Sequence, residues 1–178
     1  MRRLTTVLFG VLLSVGFAMS ASALSVDPNP VNFGNGRTLG SVDMSVSGST
    51  LEMTVSVTKG KLSRSRVSVA GRTPVNAGTL GGSGVNIRRV RIRHDGSVDF
   101  YFKSSFFHRH IHAGQQSDPH FITYDTLAAG DVITFTGFRH NIFGSFASVQ
   151  ATIVPEPSTA LLVGLGIAGL AIAGRRRE

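Results

Sequence analysis

The densest set of ligating side chains lies in residues 106–120, FFHRHIHAGQQSDPH, which carry His108, His110, His112, Asp118 and His120. In an extended chain, residues two apart share a face, so an H-x-H pair offers two neutral imidazole nitrogens to one Zn²⁺ or Cu²⁺. Three histidines along a straight strand span about 13 Å at ~3.3 Å per residue, too far for one ion without a bend. His120, beyond the loop 114–119, would have to fold back as a third ligand. The competing reading is an exposed strand or loop with solvated histidines.

A second constellation is NIRRVRIRHDG, residues 86–96, which sets Arg89, Arg91 and Arg93 on one side of a strand. Aligned guanidinium groups fork hydrogen bonds to the carboxylates or sulfates of a polymer. The alternative is an ordinary charged face that discourages edge-to-edge pairing. Lys59, Lys61, Arg64 and Arg66 read as a solvated loop. Catalysis finds little support. Asp95, Asp99, Asp118, Asp125 and Asp131 sit in turn-like contexts, and no G-x-S-x-G marks a nucleophile. No catalytic residue is therefore assigned, and a binding or structural role is expected ahead of an enzyme. Thr134-Phe135-Thr136 is not the repeated threonine array that ice binding would require.

The elements that must position these residues are strands. Val42, Met44 and Val46 alternate with polar residues, as do Leu51, Met53, Val55 and Val57. A two-residue turn at Gly48-Ser49 pairs Val46 with Leu51 and Met44 with Met53, keeping every apolar side chain on one face. A second hairpin turns at His94-Asp95-Gly96. A three-residue loop with left-handed Gly96 pairs Ile92 with Val98 and Val90 with Phe100, whereas a two-residue turn would mix the faces. That register also sets Arg91 opposite Asp99 and Arg89 opposite Tyr101 on the outer face. Further strands are expected at 31–33, 66–70, 132–138 and 148–154. If that strand continued beyond Phe102 it would bury all three nearby histidines, so Ser104-Ser105 is expected to flip the phase and leave Phe107 and Ile111 inward. Short strands with turn signals at this spacing predict an all-β domain, a single antiparallel β-sandwich of Ig-like or jelly-roll-like type.

Both ends of the chain differ from this interior. Met1-Arg2-Arg3, an apolar run from Leu4 to Phe17 and then Ala21-Ser22-Ala23 have the charge, length and cleavage chemistry of a secretory signal peptide cut after Ala23. At the other end, residues 158–174 hold no charge and precede Arg175, Arg176 and Arg177. About 17 apolar residues is the lower limit for a membrane-spanning helix, and arginines that snorkel to the headgroups relieve the mismatch. The positive-inside rule keeps those arginines in the cytoplasm. Gly164, Gly166 and Gly169 spell G-x-G-x-x-G but lie inside the apolar run without a preceding strand, so no nucleotide site is read there.

Pro155-Glu156-Pro157, a short apolar helix and a terminal arginine triplet together resemble a PEP-CTERM sorting signal, over about 24 of the 178 residues. The same tail is also catalogued as the C-terminal domain of ice-binding proteins. The resemblance implies a Gram-negative bacterium that makes extracellular polysaccharide and biofilm, and a membrane-embedded exosortase that recognises Pro-Glu-Pro. It identifies a route rather than an activity.

The chain thus divides into a signal peptide (1–23), a β-sandwich domain (24–154) and a sorting signal (155–178) with a transmembrane helix at about 158–174. The chain carries a formal charge of +8. In residues 24–154, thirteen Lys and Arg face eight Asp and Glu, a net of +5. Export and the lack of any recognition motif exclude nucleic acid as the partner and favour an anionic extracellular polysaccharide. There is no cysteine, so stability rests on the core alone. The expected route is Sec export, an inner-membrane intermediate with a cytoplasmic C-terminus, then the cell surface or beyond. The expected role is structural, adhesive or polysaccharide-associated. The alternative is an exported Zn- or Cu-binding domain, or an enzyme, built on the histidine cluster.

Overall fold

The computed structural model describes residues 24–35, 37–103, 110–139, 145–156, 163–167 and 169. The signal-peptide segment with Ala21 and Ala23, and also His108, Pro157 and Arg175 to Arg177, lie outside the described residues. Residues 24–156 form one compact unit.

Its strands are, in chain order, β1 (Leu24–Asp27), β2 (Val31–Gly34), β3 (Leu39–Ser47), β4 (Thr50–Lys59), β5 (Lys61–Leu62), β6 (Arg64–Val69) and β7 (Pro74–Thr79). There follow β8 (Asn86–Ile92), β9 (Val98–Lys103), β10 (Ile111–His112), β11 (Gln115–Gln116), β12 (His120–Tyr124), β13 (Val132–Phe138) and β14 (Ser145–Pro155). One sheet runs β1-β14-β13-β6-β9-β8, and a second runs β2-β3-β4-β12-β7 with β11 on β4. Every strand pair is antiparallel. The two sheets share one core. Phe33 of the second sheet meets Phe135 of the first at 5.1 Å between ring centroids, and His120 of the second meets Phe100 of the first at 4.4 Å.

Alternation explains why these segments are strands. In β4, Leu51, Met53, Val55 and Val57 are buried while their neighbours are not. The β3–β4 register is Val46 to Leu51 and Met44 to Met53, and Gly48 takes φ +58° at the turn, a conformation that a side chain would strain. Burying one face forces this register, because a slip of one residue would turn every apolar side chain outward.

The β8–β9 hairpin also takes the three-residue loop. Ile92 pairs with Val98, Val90 with Phe100, Arg91 with Asp99 and Arg89 with Tyr101, and Gly96 has φ +75°. Arg93 and Ser97 close the loop through a backbone bond of 2.9 Å. Burial on this hairpin is uneven, however. Val98 and Phe100 are wholly buried, but Ile92, at the end of the edge strand β8, is 43% exposed. A bulge between Ile87 and Arg89 inserts Arg88 and shifts the phase, so Ile87 and Val90 both pack against the core although they are three apart.

The strands expected at 31–33, 132–138 and 148–154 fall within β2, β13 and β14, and the one expected at 66–70 overlaps β6, which starts two residues earlier and ends at Val69. Arg64 and Arg66 lie on β6 rather than in a solvated loop. The reason is local: Ser65, Val67 and Val69 are inward on that strand, which obliges the intervening arginines to point outward. Residues 163–167 are helical and exposed. Among the described residues, no helix is long and apolar enough to cross a membrane.

Candidate functional site

The outer face of the first sheet collects the arginines. Strand pairing lines up Arg91, Asp99, Arg66, Thr136 and Ser148 in one row across β8, β9, β6, β13 and β14. The adjacent row is Arg89, Tyr101, Arg64 and Phe138. Neighbouring strands are about 4.8 Å apart, so these rows form a continuous platform rather than scattered charges.

Asp99 anchors the platform from beneath. It is fully buried, and its carboxylate accepts from Arg66 Nε at 2.8 Å and Arg93 Nε at 2.7 Å, with Arg64 Nη1 at 3.8 Å. Burial alone pushes its carboxyl upward, but the bonds from Arg66 and Arg93 and the charge of Arg66 and Arg64 outweigh it, and the net shift is downward. Arg66 is raised, chiefly by the same bond to Asp99. One anion thus holds three guanidinium groups in fixed positions.

Aromatic rings lie beside them. The Arg64 guanidinium lies 3.8 Å from the Phe138 ring centroid and 5.7 Å from that of Tyr101, and Arg66 lies 5.3 Å from Phe138. Arg89 sits 5.9 Å from the Tyr101 centroid. Thr134, Thr136, Ser148 and Gln150 extend the platform as a polar strip, joined by Thr136–Ser148 and Gln150–Thr134 hydrogen bonds. At the hairpin end, a cleft of about 570 Å³ lined by residues including Ser68, Thr134, Ile92 and Arg93 adjoins it.

The three arginines expected to act together therefore divide. Arg89 and Arg91 are exposed on the outer face, as their alternation requires. Arg93 turns back to Asp99 and is committed to the structure. Of its two cross-strand partners Asp99 binds Arg66 and not Arg91, and it also takes Arg93 from the hairpin loop. Arg64 and Arg66, unread as site residues, complete the platform. The signal for them in the sequence was R-x-R immediately before Val67, which puts both on one face of a strand.

The histidines separate as well. His110 and His112 lie side by side, with ring centroids 4.3 Å apart, and His110 is buried. The expectation of solvated side chains is thus not met at His110. The next residue, Ile111, is fully buried as expected, while Ser104, Ser105 and Phe107, on which the expected phase flip rests, lie outside the described residues. His120 lies in the core between the sheets, 4.4 Å from the Phe100 ring and 6.2 Å from that of Phe102. Burial lowers its pKa to about 4, a shift only partly opposed by a 3.1 Å bond between Nδ1 and the Asp118 carbonyl oxygen. Among the described residues, no three His, Cys, Asp or Glu side chains converge as a metal site.

The sorting residues begin inside the folded unit. Pro155 is the last residue of β14 and pairs with Leu24 of β1, and Val154 pairs with Ser25. Pro155 is exposed. At a strand end its missing N–H costs no ladder bond, which allows a proline there.

An antiparallel all-β domain with a basic outer face, continuing directly into Pro-Glu-Pro, defines the class. Residues 154–177 match the model of the PEP-CTERM protein-sorting motif. That motif marks an exported protein processed by an exosortase and sorted to the cell surface through a membrane-anchored step. Comparison with curated proteins and with solved structures finds no match.

Proposed function

We propose that this protein is a surface or extracellular-matrix component of a Gram-negative bacterium whose all-β domain adheres to anionic polysaccharide. The observation that carries the reading is the platform of Arg64 and Arg66, held by buried Asp99 beside Phe138, with Arg89 over Tyr101 and Arg91 exposed next to them in the sheet. Planar cations fixed over aromatic rings suit the carboxylates or sulfates of an acidic sugar chain, and the rings and hydroxyl strip suit its sugar faces. Pre-set side chains lose little freedom on binding, which favours affinity. Sec export delivers the domain, the apolar helix near 158–174 pauses it in the inner membrane, and Arg175 to Arg177 hold the C-terminus in the cytoplasm until processing at Pro155-Glu156-Pro157.

Retention on acidic and neutral polysaccharide columns tests the adhesive role. Binding to the acidic matrix that weakens steeply with salt, and is reduced in Arg89→Ser/Arg91→Ser, is expected. Equal retention of wild type and variant would reduce the arginines to a solvated face.

A second reading keeps the histidines. The adjacent rings of His110 and His112 offer two nitrogen ligands for Zn²⁺ or Cu²⁺, with His108 as the natural third. His120 is committed to the core instead. Metal analysis of the purified protein separates this reading from the first.

A further inference from the structure

The segment Ser117-Asp118-Pro119-His120 combines three features around one peptide bond. Asp118 is 2% exposed, and its Oδ1 is buried without a hydrogen-bond partner. Buried carboxylate oxygens are normally satisfied, so an orphan of this kind calls for an explanation. The carbonyl oxygen of Asp118 is held by His120 Nδ1 at 3.1 Å. A carbonyl oxygen only accepts, so Nδ1 carries the proton, and the bare Nε2 is buried without a partner. The bond that follows leads to Pro119, whose nitrogen is a tertiary amide and leaves as a secondary amine.

The surrounding chain clamps this bond. Asp118 N–H donates to the Val85 carbonyl at 3.0 Å, and the Pro119 carbonyl accepts from Leu80 N–H at 2.9 Å. The glycine-rich loop between these two donors and acceptors lies directly on the segment. A Cβ on Gly84 would fall 2.6 Å from the Ser117 carbonyl, and one on Gly82 would fall 3.1 Å from Asp118 Oδ1 and 3.0 Å from Pro119 Cδ. A side chain at Gly84 would meet backbone that must shift, and one at Gly82 would press on Asp118 and Pro119. A cleft of about 660 Å³ lined by residues including Gly82, Gly84, Ser117 and Pro119 brings solvent to the edge of the segment.

We propose that this geometry is a self-cleavage site, at which the Asp118 carboxyl group cuts the Asp118–Pro119 peptide bond. In its acid form the side-chain oxygen bonds to the carbonyl carbon of the same residue, forming a five-membered ring. The C–N bond to Pro119 breaks, the carboxyl proton passes to the proline nitrogen, and Asp118 is left as a cyclic anhydride. Water then opens the anhydride, leaving a carboxyl at both positions of Asp118 and a free amine on Pro119. The tether makes the attack intramolecular, for which effective molarities reach about 10⁵–10⁸ M. His120 Nδ1–H is the catalytic donor, placed where negative charge develops on the carbonyl oxygen. The orphaned Oδ1 is explained as a nucleophile with no competing donor.

The chain holds an internal comparison in Asp27–Pro28, which has the same bond chemistry but an exposed aspartate. The products would stay together in native buffer, because β12 is paired with β4 and β7 on the other side of the cut. The test is intact-mass analysis, under denaturing conditions, of the full chain held in mildly acidic buffer with and without hydroxylamine. A new fragment beginning at Pro119, with an Asp118 hydroxamate on its partner when hydroxylamine is present, is the expected result. Asp118→Asn should abolish the cut, and Pro119→Ala should suppress it if the first variant fails to fold. His120→Phe, which keeps a ring in the core but removes the donor, should slow it at least tenfold. An uncut wild-type chain, a cut at Asp27–Pro28 at a similar rate, or undiminished cutting in Asp118→Asn would each overturn the proposal.

Discussion

Acid should loosen this domain through His120. His120 is fully buried, and burial lowers its pKa from the ordinary 6.5 to about 4. In the unfolded chain the imidazole takes up a proton near pH 6.5, while in the folded chain it stays neutral until about pH 4. Between those values the unfolded state binds more protons, so stability is full above pH 6.5 and is lost as pH falls toward 4. At 1.36 kcal/mol per pKa unit, the loss is about 2 kcal/mol by pH 5 and about 3 kcal/mol by pH 4. Asp95, Asp99 and Asp131 have lowered values and add their own loss only as pH falls through the carboxylate range, which keeps the upper window for the histidine. Urea unfolding of the processed protein at several pH values from 7.5 to 5 measures the slope. His120→Phe should flatten it, since Phe cannot take up the proton. A wild-type stability independent of pH across this range would refute the reasoning, as would an equal slope in the variant.

Asp99→Asn should destabilise the domain by about 2–4 kcal/mol in the same assay, because Arg66 and Arg93 lose their shared anion; their partial exposure places the cost toward the lower end. Arg93→Ser should also destabilise it, whereas Arg89→Ser/Arg91→Ser should leave unfolding unchanged and weaken retention on acidic polysaccharide. That retention should fall steeply as salt is raised toward 0.15 M, where the Debye length is about 8 Å. If metal binds, Ala at both His110 and His112 should abolish it, and binding to wild type should weaken below about pH 6 as imidazoles take up protons. Deleting Pro155 to Pro157 should leave the protein in the membrane fraction, and mass spectrometry of the extracellular form should find the arginine triplet gone.

Much of the fold was legible because it depends on a period of two. In β3, β4, β9 and β13, apolar residues on alternate positions name both the strand and its buried face. The two hairpin registers followed from requiring those faces to agree, and the left-handed glycines at 48 and 96 from the turns this imposes. The strands that escaped reading are those where the pattern fails. In β7, Pro74–Thr79 carries little apolar alternation because it is an edge strand. In β12, His120, Ile122 and Tyr124 all face inward, but a histidine at the first position suggests a ligand rather than a core residue.

The sorting signal needed only the sequence, since Pro-Glu-Pro, an apolar run and terminal arginines are adjacent and act through composition and order. The platform did not. Arg64, Arg66, Arg89, Arg91 and Arg93 come from strands separated along the chain, and only the order β8-β9-β6-β13 brings them side by side. Nor could the sequence divide the arginines into those that bind Asp99 and those left facing solvent, because of its two cross-strand partners Asp99 binds Arg66 and not Arg91. Likewise, the run of histidines is local, but burial separates His120 from the others. Local pattern decides which residues form strands and which side they show; the pairing of distant strands decides which of those sides becomes a site.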